Sequence, residues 1–329
     1  APFEWDIKRL VTSFVIAAKE IGLEESVGLK AIQRMLNAYI SHLDQQIALS
    51  PLQIWYEKID ASILLEKTEN QKIRKKLAKK VNSASGRDSA SVLPKLTQQD
   101  DETGFRHFIE DEPLLWHPKA GEPFSEHHEA FFESYRSTLK YDRQVLFDRY
   151  QCTDIALKVV GVGSVGTRSA IALFEDADRE PLILQMKEAN PSILSPLFLK
   201  KVPHEGERVV YGQQLMQAAS DIFLGYSTDQ QQHYLIRQLR DMKVSIDLAG
   251  MDDAFFYEYA DSCGLALAHA HAKAGNADVL IGYLGEGGSI VQILQDYASQ
   301  YAERNLSDYQ QFMNAIADGK IQLAGEEAL

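Results

Sequence analysis

Apolar residues recur at helical spacing from the start of the chain. Ile7, Leu10, Val11, Phe14, Val15, Ala18 and Ile21 form the i, i+3, i+4, i+7 stripe of a helix with one buried face, and Gly22 ends it. Leu29, Ile32, Leu36, Tyr39 and Ile40 predict a second helix. Ser50-Pro51 supplies a cap and a first-turn proline for a third, so residues 1–67 read as helical. No element is assigned to residues 105–116. Phe132, Tyr135, Leu139, Leu146 and Tyr150 then predict one amphipathic helix.

Beyond residue 150 the pattern changes. Residues 155–160, 169–174 and 182–186 are short apolar runs separated by glycine-rich or charged turns, as strands are. Residues 208–222 return to helical spacing, 234–239 is a further strand, and 253–273 and 290–316 are helices. Nothing repeats at a fixed period. The expected fold is therefore α+β and mostly helical: a helical lobe at 1–150, a small strand-rich lobe at 151–245, and a helical segment at 246–329 packing back on the first lobe.

Composition narrows the classes. Of 329 residues, 45% are hydrophobic and 25% charged, ordinary for a globular protein rather than a disordered or collagen-like one. Acids outnumber bases, 47 to 34, and the net charge of −13 argues against wrapping nucleic acid. Residues 71–87 carry seven bases and no acid and read as a solvated helix face, and the small polar run 82–91 reads as a flexible loop. Only Cys152 and Cys263 are present, which suits a reducing compartment, so a cytoplasmic location is expected. The longest uncharged apolar stretch, residues 10–18, is far below the ~20 residues that span a bilayer, so no membrane association is expected. The chain opens on Ala-Pro-Phe-Glu-Trp with no Met, and an upstream piece is expected to be missing.

One motif stands above this background. Lys158-Val-Val-Gly161-Val-Gly163-Ser164-Val-Gly166-Thr167-Arg168 is a G-x-G-x-x-G directly after an apolar run, and glycines at that spacing let backbone N–H groups approach a phosphate. A tight turn between strands explains it without a ligand. In a dinucleotide-binding fold the motif would open a helix, and Glu188, 22 residues after Gly166, would meet the ribose. In a kinase-like small lobe the glycines form a strand-loop-strand flap over ATP, and a third strand carries a lysine for the phosphates, which Lys187 fits. The dinucleotide reading runs short of strands after Glu188. The flap reading needs a helix with an acid for the lysine, and Glu205 and Glu207 both stand at the start of residues 208–222; Glu207 is carried forward with Lys187 as the catalytic pair.

These residues resemble the bacterial family called domain of unknown function 2252. The resemblance rests on residues 158–168, Leu184-Gln-Met-Lys187-Glu-Ala189, Arg208-Val-Val-Tyr-Gly212 and Gln217-Ala-Ala-Ser-Asp221. It extends to Arg237-Gln-Leu-Arg-Asp-Met-Lys243, Ala268-His-Ala-His271 and Trp5-Asp-Ile-Lys-Arg-Leu10, and covers essentially the whole chain. It implies a circularly permuted fold of the aminoglycoside and choline kinase type, with a small antiparallel sheet over ATP and Mg2+. On it, Gly161, Gly163, Ser164, Gly166, Thr167 and Lys187 hold the nucleotide, and the acceptor is an unidentified small molecule or protein. The Gly-Asp-x-His-x-x-Asn and Asp-Phe-Asp motifs usual in that family occur nowhere in these residues, so this chain alone is expected to be inactive. Tyr211 stands where many relatives are expected to carry Glu. A nucleotide-binding regulator is the second reading, and a dinucleotide-dependent oxidoreductase the third.

The histidine pairs His127-His128 and His269-Ala-His271 point to different sides of a helix, and neither is expected to hold a metal jointly. No Gly-x-Ser-x-Gly elbow is present, and Cys263 reads as a small buried hydrophobe.

Overall fold

The structure is a computed structural model describing residues 2–57, 71, 74–75, 78–79, 93–126, 128–159, 161, 166–197, 202–239, 247–285 and 288–321. It is α+β and mostly helical. The expected loop at 82–91, the chain beyond Glu57 to residue 67 and most of the basic run lie outside the described residues.

Among the described residues the helical body is built by α1 (Phe3–Glu20), α2 (Glu25–Ile47), and, from the far end of the chain, α8 (Asp253–Ala274), α9 (Ala277–Leu284) and α10 (Gly288–Ala317). The stripe read from the sequence is the buried one: Ile7, Val11, Phe14, Val15 and Ala18 of α1 meet Ala31, Ile32, Met35, Leu36, Tyr39 and Leu43 of α2 and Phe256, Ala260 and Ala268 of α8. Helices α2 and α8 come into close backbone contact at Gly264, where a Cβ would run into the Met35 carbonyl oxygen. Ser50 caps the short α3 (Pro51–Tyr56) with a full capping box to Gln53.

The second body is a six-stranded sheet of order β3-β4-β5-β6-β8-β7, with every neighbouring pair antiparallel. Its strands are β3 (Leu115–Trp116), β4 (Gln151–Lys158), β5 (Ser169–Glu175), β6 (Pro181–Glu188), β7 (Gly225–Asp229) and β8 (Gln232–Gln238). Helices α5 (His128–Thr138) and α6 (Tyr141–Phe147) lay Phe131, Phe132, Tyr135 and Phe147 on one face, against Ala170, Ala172, Phe174, Leu184, Met186 and Ile236. The other face is shared. Leu93 of α4 (Leu93–Leu96) and Phe108 of β2 (Arg106–Phe108) cover Ala156, Ile171, Leu173 and Ile183, and α7 (Glu205–Met216) covers Leu235 with Val210. β5 is buried on both faces, which is why it reads as a continuous apolar run rather than an alternating one. β2 pairs with β1 (Thr97–Gln99) as a separate two-stranded ladder.

Four sequence expectations change. The helix expected to span 132–150 is two, because Lys140 is extended at the cap of α6. Residues 105–116 contribute β2 and β3. Helix α7 ends at Met216 rather than 222, with Gln217 already extended. β7 gives no strand signal in the sequence, because its hairpin to β8 turns on Gln230 and Gln231, both at positive φ, instead of the usual Asn-Gly or Gly pair. Among the described residues, no helix is long and apolar enough to cross a membrane.

Candidate functional site

The glycine motif leaves β4 and enters β5, so a strand and not a helix follows it. Gly161 and Gly166 sit at φ +95° and +80°, and a Cβ on either would meet nothing within 4 Å. Glycine is needed there for backbone conformation rather than for space. Thr167 follows directly; Gly163 and Ser164 lie outside the described residues. Glu188 closes the foot of the loop, its carboxylate accepting from the Arg168 N–H at 2.7 Å while its own N–H donates to the Arg168 carbonyl at 2.9 Å. A sheet antiparallel throughout, with Glu188 holding the loop, differs from the parallel strand-helix unit of a dinucleotide site.

Lys187 is the penultimate residue of β6, opposite Ser169 at the start of β5 and Leu235 of β8. Period-two alternation puts it on the same face as Gln185, whose register partner is Arg237. The half-buried ammonium has its pKa lowered, first by loss of water and then by the Arg237 charge. Among the described residues Arg237 reaches only Gln185 Oε1, at 3.4 Å, and its buried Nε has no hydrogen-bond partner. Among the described residues, no carboxylate lies within ion-pair distance of Lys187. Two partly desolvated cations thus stand side by side near the foot of the glycine turn with no counterion among the described residues, an arrangement that favours an incoming anion.

Both acids nominated from the sequence are engaged elsewhere. Glu205 pairs with Arg208 at 2.5 Å. The Glu207 carboxylate accepts hydroxyl hydrogen bonds from Tyr226 at 2.8 Å and Tyr211 at 2.9 Å, which hold its pKa below the usual value. The structure brings Lys187 to the glycine turn and does not bring Glu207 to Lys187.

Helix α7 is fixed at both ends. Gly206 lets it lie against β8, where a Cβ would approach the Tyr234 carbonyl oxygen to 2.4 Å. The stacked rings of His204 and His233, 3.9 Å apart, accept the first amides of the helix, Glu207 N–H on His204 Nδ1 and Glu205 N–H on His233 Nδ1. At the other end Lys273 of α8 donates to the Gln214 and Gln217 carbonyls, at 3.1 and 2.7 Å, over the Trp55 ring. This contact joins the small lobe to the helical body.

The two histidines of α8 diverge. His271 Nδ1 meets the Tyr39 hydroxyl at 2.7 Å and its Nε2 lies 3.4 Å from Asp6, whereas His269 turns toward Glu57. Sequence reasoning missed Arg237 as part of the site, and the two capping histidines, because their places depend on strand register and helix docking. Lys187 was accessible, since a lysine ending an apolar run after a glycine loop is a local signal.

A family model described as "Uncharacterized protein conserved in bacteria (DUF2252)" matches residues 1–315. No curated protein and no solved structure matches the chain.

Proposed function

The chain belongs to this bacterial family, and from its site we propose that it binds the phosphates of ATP with Mg2+ in a kinase-like small lobe. The observation that carries the reading is the pair Lys187 and Arg237, without a counterion among the described residues, near the foot of the loop that Gly161 and Gly166 flank. The succession of strand, glycine loop, strand, lysine strand, helix and two more strands before a helical body is the one a phosphoryl-transfer lobe uses to cover a nucleotide. In that role the turn presents backbone N–H groups, Lys187 neutralises phosphate charge, and Glu188 keeps the loop foot in place.

A second reading, a nucleotide-binding regulator without catalysis, is favoured by one observation: Glu205 and Glu207 hold other partners. Calorimetric titration of the full chain with Mg-ATP, Mg-ADP, AMP and NAD tests the proposal. Affinity should fall from ATP to AMP and weaken with salt, because the cations meet the distal phosphates. Preference for NAD, or indifference to phosphate number, would overturn it. Formation of ADP together with the phosphorylated acceptor, on adding alcohols or sugars to the ATP-bound chain, separates transferase from regulator.

A further inference from the structure

The helical body holds a second cluster, independent of the nucleotide-binding reading. His42 of α2, Glu57 just after α3 and His269 of α8 each direct one donor atom into a space where all three atoms lie within 4.8 Å of one another. The close approach of α2 and α8 at Gly264 brings the imidazoles together. His42 is 5% exposed and His269 1%.

His269 is the anomaly. Glu57 Oε2 lies 3.3 Å from its Nδ1 but without the alignment of a hydrogen bond, and among the described residues neither ring nitrogen has a hydrogen-bond partner. A buried imidazole left so is costly unless something else engages it. Gln46, one turn after His42, places its Nε2 2.8 Å from Glu57 Oε2 and 3.3 Å from His42 Nε2, while its buried Oε1 has no hydrogen-bond partner among the described residues.

We propose that His42, Glu57 and His269 bind a divalent transition-metal ion, zinc foremost. Two imidazole nitrogens and one carboxylate oxygen are a donor set that zinc favours, whereas magnesium and calcium select oxygen ligands, so this ion is distinct from any magnesium that accompanies a nucleotide. Tetrahedral zinc sets its donor atoms roughly 3.3 Å apart, close to the Glu57–His269 separation already present. Water fills the fourth position, or Gln46 does so by turning its amide to present Oε1. The ion would pin α2, α8 and the end of α3 together, next to the Lys273 contact that carries the small lobe.

The test uses the full chain stripped with chelator, then supplied with zinc or cobalt and desalted. One equivalent of metal should be retained, cobalt should give a visible absorption band of low-coordinate geometry, and zinc should raise the melting temperature. Glu57→Gln, at a partly exposed residue, should weaken zinc by about 100-fold or more with unchanged circular dichroism, and His269→Gln should abolish retention. Millimolar magnesium should not compete. Failure of the wild-type chain to retain zinc or cobalt, equal binding by Glu57→Gln, or displacement by magnesium would each overturn the assignment.

Discussion

Lys187 and Ser169 stand directly opposite one another across β6 and β5. Ser169 is the first residue of the strand that follows the glycine turn, so the antiparallel register delivers the ammonium to the foot of that turn. With Arg237 as its charged neighbour and no acid beside it among the described residues, Lys187 is held in a state that an anion would relieve.

Its titration should show this. Side-chain NMR of labelled lysines should find Lys187 losing its proton at lower pH than the ordinary lysine value, and Lys187→Arg identifies the resonance. Because the folded pKa is lowered, the charged form is disfavoured in the fold below that pKa, and the penalty disappears as pH rises toward the unfolded value. Adding Mg-ATP should move the titration upward and take up protons in alkaline buffer.

The cap of α7 carries a pH dependence of the same sign in a more acidic range. His204 accepts the Glu207 amide through Nδ1, and burial, followed by the His233 charge, lowers its pKa. The unfolded chain therefore takes the proton more readily, and the stability that His204 contributes is present above its unfolded pKa and lost as pH falls through its lowered folded value. Protonation also puts positive charge at a helix N-terminus. Melting temperature should fall on acidification below about pH 6.5, and His204→Asn, which still caps, should flatten that part of the curve. An unchanged profile in the variant would remove His204 as the titrating group.

Two glycines set the packing of both bodies. Gly264→Ala would drive a Cβ into the Met35 carbonyl and Gly206→Ala into that of Tyr234, and neither backbone can yield as a flexible side chain does. Each should cost about 2–3 kcal/mol in denaturant unfolding. Gly206→Ala should in addition weaken nucleotide binding by loosening α7, and Gly264→Ala should not. Gly212, with open space around its Cβ position, should accept Ala at little cost.

Much of the architecture was legible. The stripes of α1 and α2 are periodic enough to name their buried residues, and β5 and β6 show as apolar runs because both faces are covered. What escaped depends on distant partners. The Gln230-Gln231 turn hides β7, and β2 and β3 are too short to alternate. The Lys187–Arg237 juxtaposition follows only from the pairing of β6 with β8. Helix spacing correctly separates His269 from His271, but their partners lie in α2, α1 and the end of α3, far away in sequence. Glu207 stood at a plausible place in the sequence, yet which way a first-turn acid points is decided by Tyr226 and Tyr211.

The most direct measurement is the melting shift produced by Mg-ATP on the full chain and on Lys187→Ala. The wild-type chain should be stabilised in proportion to the logarithm of nucleotide concentration. Lys187→Ala should need about 10- to 100-fold more ATP for the same shift, the size expected for losing a charged contact to phosphate. Equal shifts in the two proteins, or none in either, would contradict a phosphate-binding role for Lys187.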